Sequence, residues 1–143
     1  MSIDEVQEQI IEEFSAFTDW MDKYNLLIDM GRSLPPLDPS FKKNEFLIEG
    51  CQSRVWLCPR LEGERIFFSA DSDALITKGI VSLLVRVLSG RTPEEIKNAD
   101  LRFIDAIGLK QNLSPTRSNG LLAMVKQMKL YAMAYEYKSK NQQ

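Results

Sequence analysis

The chain has 143 residues, with 18 Lys and Arg against 20 Asp and Glu, a net charge of −2 and 44% apolar residues. That length supports one domain whose core needs no disulfide or metal, and the charge gives no general attraction to nucleic acid or to an anionic membrane. There is no histidine and there are two cysteines, Cys51 and Cys58, which removes the usual general base, the commonest metal ligand and any Ser-His or Cys-His dyad.

The opening residues, MSIDEVQEQI, are acidic and helix-like and lack the basic start and apolar centre of a signal peptide. No run approaches the ~18 apolar residues of a membrane span. A cytoplasmic protein is expected. Ile3, Val6, Ile10, Phe14 and Phe17 recur at spacings of three and four, which predicts an amphipathic helix capped by Ser2 or Asp4. Trp20, Tyr24, Leu27, Ile28 and Met30 repeat the pattern, and Gly31 is the expected stop. LPPLDP then excludes a helix and favours a stiff extended loop, which runs straight to Cys51.

SRVWLCPRL alternates, with Val55 and Leu57 on one face and Arg54, Trp56 and Cys58 on the other. GERIFFSAD is a second strand, and the intervening LEGE carries the glycine of a short hairpin. A third strand is open to Phe46–Ile48. DSDALITKGIVSLLVRVLSG reads as a buried helix, with Asp71, Ser72 or Asp73 as cap and Gly90 as stop. Thr92, Pro93 and Glu95 form a capping-box start. ADLRFIDAIGL is a short helix ending at Gly108. The last helix starts at Ser114 and Pro115, and its stripe is Leu121, Met124, Val125, Met128, Tyr131, Ala132 and Tyr135. The tail, KSKNQQ, is expected to fray. The whole reads as one α+β domain over residues 1–143, a small antiparallel sheet packed against several helices.

Two constellations carry chemistry. Cys51 stands between Glu49-Gly50 and Gln52-Ser53-Arg54. A free cysteine is commonly a buried structural thiol, yet this position places it on a loop at a strand start, open to a partner. Arg54 would lower its pKa if the fold brought the two together, and the thiolate is the reactive form. Cys58 lies inside the strand pattern and reads as structural. Seven residues of extended chain span roughly 23 Å, too far for the two cysteines to bridge. In LSPTRSNGL, Ser114 and Pro115 are explained by a helix start, but Arg117 opposes the macrodipole there and needs a partner inside or outside the protein. Gly120 costs about 1 kcal/mol in a helix relative to alanine and suggests close packing. Asp71 and Asp73 read as capping and solvated groups. SGRTPEE lacks the spacing of a phosphate loop. Lys42, Lys43, Lys126, Lys129, Lys138 and Lys140 look like ordinary surface.

EGCQSRVWL, DSDALITKGIVSLL, LSPTRSNGLLAM and the early RSLPPL together, in order and over nearly the whole chain, resemble the SufE family of cysteine desulfuration proteins. The resemblance implies an α+β fold similar to IscU-type scaffolds, without their set of cluster-ligand cysteines. It implies a persulfide carrier that accepts sulfur from a SufS-type cysteine desulfurase and passes it to an iron–sulfur cluster assembly scaffold. Pyridoxal phosphate sits on that partner, and the acceptor needs no metal or cofactor of its own. Cys51 would be the acceptor, with Gly50 as the turn, and with Gln52 and Arg117 steadying the loop or meeting the partner. Cys58 matches no sulfur site of the family. Transpersulfidation is thiol exchange and asks for one reachable thiolate. A resting Cys51 tucked against apolar residues, on a loop that everts at the partner, is expected. Such a carrier is only loosely an enzyme, since turnover belongs to the desulfurase. A homodimer stays open. The competing readings are an adaptor domain with inert cysteines and a stand-alone thiol enzyme such as a peroxide reductase. The latter would want a base or a resolving cysteine, and neither is found.

Overall fold

The computed structural model describes residues 1–141. Helix α1 (Ile3–Ser15) begins at a capping box in which Ser2 and Glu5 satisfy each other's backbone N–H groups. Helix α2 (Trp20–Arg32) is capped by Asp19. Strands β1 (Val55–Glu62) and β2 (Arg65–Ser72) form a two-stranded antiparallel sheet. Their two-residue turn starts with Gly63 at φ 62°, the positive φ such a tight hairpin loop demands. Helices α3 (Leu75–Leu88), α4 (Pro93–Lys97), α5 (Phe103–Ala106), α6 (Leu109–Asn112) and α7 (Pro115–Asn141) complete the chain. The architecture is α+β, as the sequence implies.

The register pairs Val55 with Ser72, Leu57 with Ala70 and Pro59 with Phe68. That face enters the main core. The core draws on Val6, Ile10 and Phe14 of α1, Leu27 of α2, most of α3, and Leu121, Met124, Met128 and Ala132 of α7. The opposite face of β1 is not solvent-facing at its start. Trp56 and Cys58 are buried there with Leu37 in a second small cluster, flanked by Phe46 and Leu47. The proline-rich segment is thus a strap over the outer face of the hairpin. It holds 3-10 turns at Pro39–Phe41 and Asn44–Phe46, and the third strand shrinks to one bridge, Leu47 to Trp56.

Four local expectations change. Gly31 does not end α2 but lies inside it, where the backbone of α3 passes. A Cβ on Gly31 would meet Gly79 N at 2.8 Å, and one on Gly79 would overlap the carbonyl oxygen of Leu27. Helix α3 is not capped by Asp71, Ser72 or Asp73, because β2 runs on through Ser72 and the cap position falls to Ala74 with no side-chain bond. Gly108, at φ 77°, ends α5 as expected, but a further turn, α6, follows it. Lys138 to Asn141 continue α7, while Gln142 and Gln143 lie outside the described residues. One buried polar residue escaped the periodicity. Gln7 accepts from Phe103 N–H and donates to Asp100 O, each at 3.1 Å, and so fastens the approach to α5 onto α1.

The Gly31–Gly79 crossing sets a measurable limit. Gly79→Ala improves helix propensity by about 1 kcal/mol, but a methyl driven into a fixed carbonyl oxygen forces the helices apart at about 3 kcal/mol. We expect a net loss of about 2 kcal/mol in urea unfolding; equal or greater stability would contradict this packing.

Candidate functional site

The segment between the strap and β1 is a short loop with fastened ends. At its start, Ile48 is buried and its N–H donates to Val55 O at 2.9 Å. At its end, Arg54 N–H donates to Asp73 Oδ1 at 3.1 Å. Arg54 O accepts from Ser72 Oγ at 2.8 Å and from Asp73 N–H at 3.3 Å. Asp73 is therefore a loop anchor. Asp71 takes Lys42 and Lys78 at 3.0 and 3.3 Å. Burial alone would push its carboxyl up, but Lys42, the Ser72 N–H and Lys78 overcome that and hold it below the usual range. Lys42 also lies over the Trp56 ring at 5.4 Å, so it fastens the strap and is not idle surface.

Gly50 turns the chain at φ 90°, a conformation glycine adopts without cost. Cys51 then points inward. Its Sγ lies 3.5 Å from Gly120 O on α7, and its side chain packs against the edge of the main core, half-buried. Beside it opens a cavity of about 360 Å³, lined by Gln52, Thr77, Ile80, Thr116 and Arg117, among others. Helix α7 starts here, with Ser114 Oγ accepting from Arg117 N–H at 3.3 Å. The Arg117 side chain is exposed at the cavity, and among the described residues it makes no ion pair.

Burial pushes the Cys51 thiol up from its ordinary range. The expectation that Arg54 would lower it fails. Arg54 is exposed, and it serves the loop through its backbone. Cys58 is also pushed up, first by burial and then by the Glu45 carboxylate. Its Sγ faces Phe41 O at 3.9 Å beneath the strap. Among the described residues, no three His, Cys, Asp or Glu side chains are grouped to hold a metal, and no helix is long and apolar enough to cross a membrane.

The profile of the SufE family, described as an Fe-S metabolism associated domain, matches residues 8–132. SufE-like protein 1, chloroplastic/mitochondrial, of Arabidopsis thaliana is 42% identical over 132 residues, which is 92% of this chain and 36% of that protein. The chain belongs to the SufE family. It spans about a third of the length of that curated SufE-like relative. Among solved structures, the solution structure of a hypothetical protein from Thermus thermophilus aligns with a TM-score of 0.73 at 21% identity, covering 90% of this chain and 94% of that one. At that identity the likeness speaks for the fold.

In this SufE-family chain the fold gathers Cys51, Gln52 and Arg117 at one cavity, with Gly50 as the turn leading into it, and leaves Cys58 on the far face of β1. Sequence reading missed Thr77, Ile80, Thr116 and Met124 as cavity walls. Thr77 and Ile80 sit in a run that reads simply as buried helix, and only their placement opposite α7 marks them out. The raised thiol has a checkable sign. Parking the neutral thiol contributes stability that is complete below the ordinary thiol pKa and is lost as pH climbs toward the raised one. We expect the midpoint for alkylation of Cys51 by iodoacetamide to lie above that of the same cysteine in urea-unfolded protein; an equal or lower midpoint would contradict the parked geometry.

Proposed function

We propose that this protein is a sulfur acceptor and carrier. It takes persulfide sulfur from a cysteine desulfurase onto Cys51 and passes it to an iron–sulfur cluster assembly scaffold. The observation that carries the reading is the loop itself: a single thiol on a glycine turn, parked against bare helix backbone, between two fastened ends. Membership of a family associated with Fe-S metabolism supports it.

The chemistry is an exchange without net oxidation. The Cys51 thiolate attacks the terminal sulfur of the desulfurase persulfide. A sulfur–sulfur bond forms on Cys51, the partner's own sulfur–sulfur bond breaks, and the partner's thiolate leaves. Discharging that thiol readies the desulfurase for its next turnover, so the carrier stimulates it. The pyridoxal phosphate chemistry stays on the desulfurase. The raised pKa keeps the resting thiol protonated and slow to react. Arrival of a partner supplies the polar surroundings and space in which it ionises. Arg117, exposed at the cavity with no ion pair among the described residues, is the group that meets the desulfurase surface.

The fastened ends limit reach. Cys51 is three residues from Ile48 and three from Arg54, so the extended loop carries it at most about 10 Å from either anchor. The desulfurase must bring its sulfur to the end of the hairpin.

The experiment is intact mass under non-reducing conditions after incubation with a desulfurase, pyridoxal phosphate and cysteine. A gain of one reductant-labile sulfur is expected in the unmodified protein and in Cys58→Ser, and none in Cys51→Ser. A gain that survives Cys51→Ser moves the site, and no gain in the unmodified protein contradicts the carrier role.

A further inference from the structure

A glycine inside a helix calls for a reason. Gly120 lies in the second turn of α7, is buried, and has no positive φ. Backbone conformation therefore does not require it, and glycine weakens a helix relative to alanine. What its small size provides is a close approach for Cys51. A Cβ at position 120 would lie 3.4 Å from Cys51 Sγ, and 3.9 Å from both Cys51 Cα and Cys51 Cβ. The same contact continues along the loop, where a Cβ on Gly50 would meet the Ala123 methyl at 3.3 Å. Two successive loop residues thus rest on two of the smallest positions of α7, with room there for a methyl group and little more.

We propose that Gly120 is a positioning residue for sulfur transfer: the bare patch of α7 is the seat that parks Cys51, and the size of residue 120 sets how far the thiol is withheld from a partner. This rests on Cys51 being the acceptor. The size dependence is graded. An alanine methyl at 3.4 Å is in ordinary van der Waals contact with the thiol, so the seat survives it. Valine adds two carbons about 1.5 Å beyond Cβ, and one directed at Cys51 falls inside contact distance of its Sγ, which already stands 3.4 Å from the Cβ position. The loop then leaves its seat while both of its anchors stay bonded.

The first test is the rate of Cys51 alkylation by iodoacetamide, resolved from Cys58 by peptide mass. Gly120→Val is expected to label about tenfold faster than the unmodified protein, as the seated state passes from dominant to minor. Gly120→Ala is expected to stay within about twofold, because its seat persists. Labelling of Gly120→Val at the unmodified rate overturns the proposal. Circular dichroism reports whether that variant folds, and Gly120→Cys carries the test if it does not. The 3.9 Å separation of the two Cβ positions lies within the range of about 3.5–4.5 Å that a disulfide requires. Diamide, which accepts the two hydrogens, should close a bridge between Cys51 and the introduced thiol within one molecule. Failure to close it overturns the seat. With the bridge closed, sulfur loading of Cys51 from the desulfurase should vanish. If the bridge forms and Gly120→Val labels fast, yet the unmodified protein gains no sulfur, the seat stands and the carrier reading falls.

Discussion

Helix α3 is apolar on nearly every side and must be covered from every direction. Thr77, Gly79, Ile80, Val81, Ser82, Leu83, Leu84, Val87 and Leu88 are all buried. The other elements are arranged to that end: α2 crosses it backbone to backbone at Gly31 and Gly79, β2 lays its inward face on it, and α1 and α7 close the remaining sides. The site follows from this cover. Thr77 and Ile80 of α3 end up across a cavity from Thr116, Gly120 and Met124 of α7, and the Cys51 loop falls over the junction. The same packing that buries the helix therefore builds the seat for the thiol.

The forces on the loop are unequal in a useful way. An ordinary hydrogen bond contributes about 1 kcal/mol net. Arg54 is held by three, and Ile48 by one together with a buried side chain. Cys51 is held by one weak S–H···O contact and the packing of a small side chain. The tip of the loop therefore yields before its ends. In the proposed carrier role, protection and delivery are compatible, because the seat disfavours the thiolate of the resting Cys51 while its single weak contact costs little to break.

Much of this was legible in the residues. The helix periodicities, the LEGE turn and the Thr92–Glu95 capping box are local signals, and local physics decided them. The Gly-Cys-Gln-Ser run marked the loop because polar residues on both sides of a cysteine do not read as core. What was not legible is what distant segments do to one another. Gly31 looks like a stop until Gly79 is seen to pass it. Asp71 and Asp73 look like caps until Lys42, Lys78 and Arg54 arrive as partners. Cys58 reads as a structural thiol and is one, but nothing local says that Leu37 and Phe46 fold over it and Trp56. Arg54 sits three residues from the thiol in sequence, yet contributes an anchored backbone and not a charge.

The central claim is that the thiol is withheld until a partner docks. The most direct measurement is the alkylation rate of Cys51 in the protein alone and with a desulfurase present, with no cysteine added. We expect slow labelling alone and a marked increase with the desulfurase, while Cys58 stays slow in both. Slow labelling of Cys51 in both conditions would mean an inert buried cysteine and would contradict the account.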